Sequence, residues 1–283
     1  MRVLPDGAVS AGYFHTCAVL STGSLQCWGS CLERPWPWKC NDWSGQLGLD
    51  QRTSSARPRT VLLHNRIALA VATGRYHTCA ILHPGDVKCW GRNKRGQLGY
   101  DDDDKRGDES GEMQSLPDVS LGAGRTAIKI TAGEYHTCVI LDSGNIKCWG
   151  AGAYGRLGDG QRLHVGDNAG EMDNIAEINL GRPAIAIGAG KEHTCALLEN
   201  GDVKCWGRSA QGRLGYKHER SLRGAETGIG DAPSEMQNLL PVRLGGPAKA
   251  ISVGRLHTCA IMGSPAPSSH SSQSPSSPLQ PPM

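Results

Sequence analysis

The chain has 283 residues with 38 Gly, seven Trp and one Phe, and its 30 basic and 27 acidic side chains leave a net charge of +3. A balance this even excludes a bulk charge that selects nucleic acid or an anionic membrane surface. No run approaches the ~20 apolar residues of a membrane-spanning helix, and the opening MRVLPDGAVSAGYFHTC lacks an apolar core of signal-peptide length. The chain therefore reads as soluble, with no export address.

The first element is GYFHTCAVLSTGSLQCWG, from Gly12 to Gly29. It returns as GRYHTCAILHPGDVKCWG, GEYHTCVILDSGNIKCWG and GKEHTCALLENGDVKCWG, then begins again as GRLHTCAIM. Its histidines, His15, His77, His136, His193 and His257, stand 62, 59, 57 and 64 residues apart. A period of this size marks one supersecondary unit stacked several times. The units fall near 8–67, 68–126, 127–183 and 184–247, with a partial fifth at 248–262. The Ser/Pro-rich tail, 263–283, has little to bury and is expected to be disordered.

Four short strands are expected in each unit. The first is the alternating run before the glycine: Ala68 to Thr73, Ala127 to Ala132, Ala184 to Ala189 and Ala248 to Val253. The second is HTCAIL and the third V-K-C-W. The fourth is an apolar triplet, Val119 to Leu121, Ile178 to Leu180 and Val242 to Leu244. Turn residues separate them, and no window carries a helical period.

Between the second and third strands lies Glu199-Asn200-Gly201, matched by His83-Pro84-Gly85 and Asp142-Ser143-Gly144. A three-residue hairpin loop ending in Gly sets Leu198 opposite Asp202, and counting back sets Cys195 opposite Cys205. The same register pairs Cys17 with Cys27, Cys79 with Cys89 and Cys138 with Cys148. Directly opposed positions lie at Cα separations a disulfide accepts, so one cross-strand disulfide per unit is expected. Cys31 and Cys40 then clip an insertion in the first unit. Cys259 is left unpaired, with Ser269 where its partner belongs. Such bonds call for an oxidising compartment, extracellular or at the cell surface. Facing reduced thiols, in the cytoplasm or nucleus, are the alternative.

Trp28, Trp90, Trp149 and Trp206 share one repeat position and are assigned to unit cores. The histidines and paired cysteines share a face, yet no further ligand recurs in register, so no metal is assigned. A four-stranded unit at this period points to a β-propeller. With GxxHTCAIL, GxVKCWG and the glycine turns ending at Gly48, Gly99, Gly158 and Gly215, the chain resembles the RCC1 repeat family over most of residues 8–262. The resemblance implies an all-β, RCC1-type propeller. The chain supplies four complete blades and a broken fifth of a ring that is usually seven-bladed. An incomplete arc, a fragment of a longer protein, is the expectation; closure as four blades is the alternative.

Several motifs imitate chemistry. Gly150 to Gly155 matches G-x-G-x-x-G, but it overlays WGRNKRG and WGRSAQG and no helix follows it. Arg106-Gly107-Asp108 looks like an adhesion tripeptide, yet Gly-Asp recurs at 166–167 and 230–231. The acidic run Asp101 to Lys105 does not repeat and reads as a solvated face. Lys88, Lys147 and Lys204 share a position that could attract anions, though such stems more often lie over a neighbouring ring. No catalytic constellation or cofactor motif recurs, and the chain is read as a non-enzyme.

The units differ most after the glycine turn, over 100–117, 159–176 and 216–240. Each stretch closes on a shared Glu-Met, which is read as structural. The variable starts lie on one rim, where repeat scaffolds place partner contacts. Asp101, Asp102, Arg106, Asp108, Arg162, His164, His218 and Arg220 are the candidate partner-binding residues. The function expected is a scaffold for an unidentified protein partner, without nucleic acid or membrane. The family resemblance implies several settings: nucleotide exchange on a Ran-type small GTPase, chromatin docking, ubiquitin ligases and secreted β-lactamase inhibitors. Exchange on a small GTPase is the runner-up, and no residue of this chain can be carried over to support it.

Overall fold

Five antiparallel sheets follow one another, one per repeat unit, in a computed structural model that describes residues 9–30, 44–216 and 228–263. The first holds β1 (Val9–Ala11), β2 (His15–Val19), β3 (Leu25–Gly29) and β4 (Ser55–Thr60). The second holds β5 (Ala68–Thr73), β6 (His77–Leu82) and β7 (Asp86–Gly91). The third holds β8 (Ala127–Ala132), β9 (His136–Leu141) and β10 (Ile146–Gly150). The fourth holds β11 (Ala184–Ala189), β12 (His193–Leu198), β13 (Val203–Arg208) and β14 (Gly228–Ile229), and the fifth β15 (Ala248–Val253) and β16 (Thr258–Met262). Within every sheet the strands are ordered as in the sequence.

Packing runs from sheet to sheet. β5 meets β8, β8 meets β11 and β11 meets β15, so the first strands gather on one axis. The second strands β6, β9 and β12 are buried at every residue. They show no alternation because each face is covered by a neighbouring unit. Each first strand from β5 onward slips register once against its partner, between Ala68 and Ala70 in β5 and at equivalent places in the others. Such bulges bend and twist a strand. β1 packs on β5 as each later first strand packs on the next, but β1 and β15 share no comparable packing among the described residues, so the blades form an open arc rather than a closed ring of four.

The hairpin register sets Cys79 against Cys89 and Cys195 against Cys205. Disulfides join Cys17 to Cys27, Cys79 to Cys89, Cys138 to Cys148 and Cys195 to Cys205, with Cα separations of 4.0–4.1 Å. Cys259 is free and exposed. Cys31 and Cys40, and the tail from residue 264, lie outside the described residues.

The fourth strand departs from expectation. Val119, Ile178 and Val242 each donate one backbone bond to the third strand, to the carbonyls of Val87, Ile146 and Val203, without forming a strand. At the other end of the same edge, Arg106 bridges Gly91 and Val165 bridges Gly150. Between these two contacts the chain turns through short helices, α1 (Glu112–Ser115) and α2 (Glu171–Asn174). A one-turn helix buries too few residues to leave a periodic signal.

Candidate functional site

The seams between blades are polar and repeat in register. Thr78 donates to the Gln46 carbonyl at 2.8 Å, and Trp90 Nε1 donates to the same oxygen at 3.1 Å. Thr137 and Trp149 do the same at Gln97, and Thr194 and Trp206 at Arg156. The last carbonyl, of Arg213, accepts from Thr258 at 3.2 Å. Trp90, Trp149 and Trp206 are fully buried, while Trp28 in the first unit is half-buried.

The histidines complete these seams. His15 Nε2 lies 2.8 Å from Thr78 Oγ1, and His77, His136 and His193 reach Thr137, Thr194 and Thr258 at 3.0–3.2 Å. A carbonyl only accepts, so each threonine spends its hydrogen there and must accept from the histidine. The network thus assigns the proton to Nε2 and leaves Nδ1 buried without a partner. Burial pushes His15 down to about 4 and His77 to about 3, with the neighbouring His15 adding to the effect at His77. His257 in the fifth unit is exposed. The glycine three residues before each histidine is required by contact: a Cβ on Gly74 would lie 2.2 Å from the His77 ring and 2.6 Å from the Gly133 carbonyl.

Several of the candidate loop residues also tie blades together. The Asp101 carboxylate caps α2 of the next unit, accepting from Gly170 N at 3.0 Å and Met172 N at 2.8 Å. Asp50 does the same for α1. Arg106 grips Asp102 with two bonds, at 2.9 and 2.7 Å, and its guanidinium stacks on Tyr100. Asp108 is buried beneath Arg52 and Lys105, so its carboxylate is withdrawn from any adhesion role. Arg162 clamps Asp231 of the following unit at 2.7 Å. His164 is half-buried, and burial with the charge of Arg95 pushes its pKa down. His218 and Arg220 lie outside the described residues.

Other polar positions are equally committed. The glutamates of the shared Glu-Met accept three backbone N–H groups each; for Glu171 these are Gly166, Asp167 and Asn168 at 2.8–3.1 Å. Lys88 donates to the Leu116 carbonyl, and Lys204 to that of Leu180 at 3.0 Å. These lysines serve backbone acceptors rather than a ring of anion sites. Among the described residues, no three His, Cys, Asp or Glu side chains could hold a metal ion.

A different face gathers open chemistry. The middle residues of the G-x-x-H turns line the axis: Tyr13, Arg75, Glu134, Lys191 and Arg255, one from each unit, surround a mouth of about 280 Å³. Arg75 pairs with Glu134 and donates to Tyr135 Oη at 3.1 Å. Its guanidinium also lies 4.9–5.7 Å from the rings of Tyr13, Tyr76 and Tyr135. Arg255 reaches across from the fifth unit to within 5.5 Å of the Tyr13 ring.

Beside these turns, the chain following each tryptophan adds more cations. Arg92 faces Tyr76 at 5.6 Å, Arg95 faces Tyr135 at 4.5 Å and Arg208 faces Tyr154 at 4.6 Å. Glu192 is contacted by Arg208 at 2.9 Å, Arg213 at 3.3 Å and Lys191 at 3.7 Å. Burial opposes ionisation of Glu192, but its bond to Arg208 and the nearby cations hold its carboxyl below the usual range. Burial likewise pulls Arg156 down to about 10. The sequence reading missed this face, though a signal existed: the two residues before each histidine are polar or aromatic in nearly every unit.

Open four-stranded and three-stranded blades around an axis, joined by repeating polar seams, define a propeller-type repeat protein. Two family models described as regulator of chromosome condensation (RCC1) repeat match it, one at residues 8–30, 69–97, 127–156 and 184–213, the other at 84–140. The chain belongs to the RCC1-repeat family.

Human probable E3 ubiquitin-protein ligase HERC3 is 32% identical over 219 residues, covering 76% of this chain and 19% of that protein. The Arabidopsis thaliana ultraviolet-B receptor UVR8 is 29% identical over 215 residues, covering 73% of this chain and 42% of that protein. Among solved structures, human WBSCR16 superposes with a TM-score of 0.68 at 19% identity, covering 92% of this chain and 59% of that one. Prp20p from Saccharomyces cerevisiae gives 0.64 at 19% identity, covering 90% and 55%. The chain thus spans about a fifth of the human HERC3 and HERC6 relatives, 19% and 22%. The expectation of a non-enzyme is corrected here. Of the curated relatives, human HERC3, HERC6 and HERC4 are named as ubiquitin ligases or probable ones, and the likeness to them runs through the repeats.

Proposed function

We propose that the repeat arc is a protein-binding module whose partner docks on the arginine–tyrosine face around the axial mouth. The charge imbalance there carries the reading. Five arginines of this face (75, 92, 95, 208 and 255) and Lys191 share it with two carboxylates, Glu134 and Glu192, while Arg156 and Arg213 are buried. Arginine and tyrosine supply large, rigid contact area and oriented donors, the chemistry enriched at interface hot spots.

The rim-loop residues are less suited to this task, because Asp101, Asp108 and Arg162 already hold the blades together and Arg106 is tied to Asp102 within its own loop. Relatives named as ubiquitin ligases and as a photoreceptor share the repeats, which supports a binding role used in several settings. The four cross-strand disulfides support an oxidising compartment as the proposed site of action.

Affinity capture with the full chain, wild type against Arg75→Glu, tests the proposal. A partner retained by the wild type and lost from the folded variant is expected; equal capture by both refutes it. Nucleotide release from a Ran-type GTPase, assayed in parallel, decides the exchange-factor alternative.

A further inference from the structure

We infer that the axial mouth recognises an acidic peptide segment of a protein partner, with Arg255 and Lys191 reading its carboxylates; this rests on the binding-module reading above. The mouth is small, about 280 Å³, which admits a few side chains rather than a folded surface. Its cations come from three different units, so no single turn could create the site. Arg255 is exposed and meets the Tyr13 ring, with no ion pair among the described residues. Lys191 Nζ stands 3.7 Å from Glu192, whose carboxylate is already engaged by two arginines. Both cations therefore keep donors for an incoming anion.

The surroundings are preorganised for that anion. Arg75 is held among three tyrosine rings and fixed on Glu134, so its charge stays at the mouth without further ordering. Charge-assisted bonds to carboxylates are stronger than neutral ones, and a side chain already fixed loses little entropy on binding. The opening between units one and five is spanned by Arg255 and Tyr13, which places the exposed cation at the entrance.

Nucleic acid fits less well. A duplex is a long polyanion that draws its affinity from many phosphates in a row, whereas the cations with donors to spare, Arg255 and Lys191, sit at one mouth of about 280 Å³. A short acidic peptide ends inside that mouth.

The test measures binding of a fluorescent polyglutamate peptide to the full chain by anisotropy, with an equally long polyglutamine peptide and an oligothymidylate as comparisons. The expected result is binding of polyglutamate alone, weakened by added salt and weakened roughly tenfold or more by Arg255→Glu. Lys191→Gln serves as a milder second variant, and circular dichroism checks that both are folded. Unchanged affinity in both folded variants, no polyglutamate binding, or tighter binding of oligothymidylate at equal salt overturns the inference. Partner capture that excess polyglutamate leaves undiminished overturns this inference while leaving the binding-module reading intact. Failure to capture any partner removes that broader reading as well.

Discussion

His77 Nε2 lies 3.1 Å from Thr137 Oγ1, across the seam between the second and third blades. The same threonine donates to the Gln97 carbonyl, which Trp149 also reaches. One buried oxygen thus collects two donors from the next blade, and a histidine from its own blade holds the threonine in place. Each seam is fixed by oriented bonds as well as apolar contact.

Replacing Thr137 by valine keeps the shape and removes the hydroxyl. The Nε2–H of His77 then loses its acceptor in a buried site, a loss worth about 1–3 kcal/mol. Urea unfolding is expected to show that loss at Thr137→Val. A midpoint unchanged from wild type would mean the seam bonds contribute nothing net.

Acid should weaken the fold through the same histidines. Burial holds His15 and His193 near 4 and His77 near 3, and pushes His136 well below the usual value. In the unfolded chain they titrate near 6.5. Between those values the unfolded state binds more protons, so stability is intact above pH ~6.5 and falls as pH drops toward 4, by up to ~1.4 kcal/mol per pH unit per histidine. Denaturant midpoints compared at neutral and mildly acid pH check this; a midpoint that rises on acidification contradicts it.

Two glycines with similar backbone angles separate steric contact from conformational strain. Gly99 has φ +75° and a Cβ there would stand 2.8 Å from Trp149 Nε1, whereas Gly124 has φ +69° and open space around it. Gly124→Ala carries only the left-handed penalty of about 1–2 kcal/mol. Gly99→Ala must also displace a buried ring and should cost clearly more, by at least ~1 kcal/mol. Equal thermal shifts for the two variants would rule out the Trp149 contact as a constraint.

The carboxylate of Glu171 satisfies three backbone N–H groups at the start of the α2 turn. Glu171→Ala should cost about 1–3 kcal/mol, as expected for charge-assisted bonds. Hydrogen exchange at Gly166, Asp167 and Asn168 should rise with it. Unaltered protection at those amides would show that the glutamate is not what holds the loop.

The hairpin cysteines can be read directly. Intact mass and peptide mapping after alkylation without reductant should show label on Cys259 and none on the four bonded pairs. That result places the chain in an oxidising compartment. Label at Cys79, Cys89 and their equivalents would instead place it in the cytoplasm or nucleus, with the thiols facing each other reduced.

The repeat carried much of this architecture in plain view. A three-residue turn fixes which residues of a hairpin face each other, so Cys195 and Cys205 were legible from local spacing. The fourth strand was not, because Val119 and Ile178 pair through single contacts while α1 and α2 interrupt the edge. The loop residues misled for a related reason. Asp101 and Arg162 look like free rim charges until the next blade supplies Gly170, Met172 and Asp231.

The sequence by itself determined the unit, its hairpin register and the number of copies, since these follow from turn chemistry and period within one stretch of chain. Only the tertiary structure decided where charge collects. Arg75, Lys191 and Arg255 are separated by 116 and 64 residues along the chain, and an even overall balance of charge conceals them. Stacking the blades on one axis brings the same turn position of every unit to a single mouth, and there the cations outnumber the carboxylates.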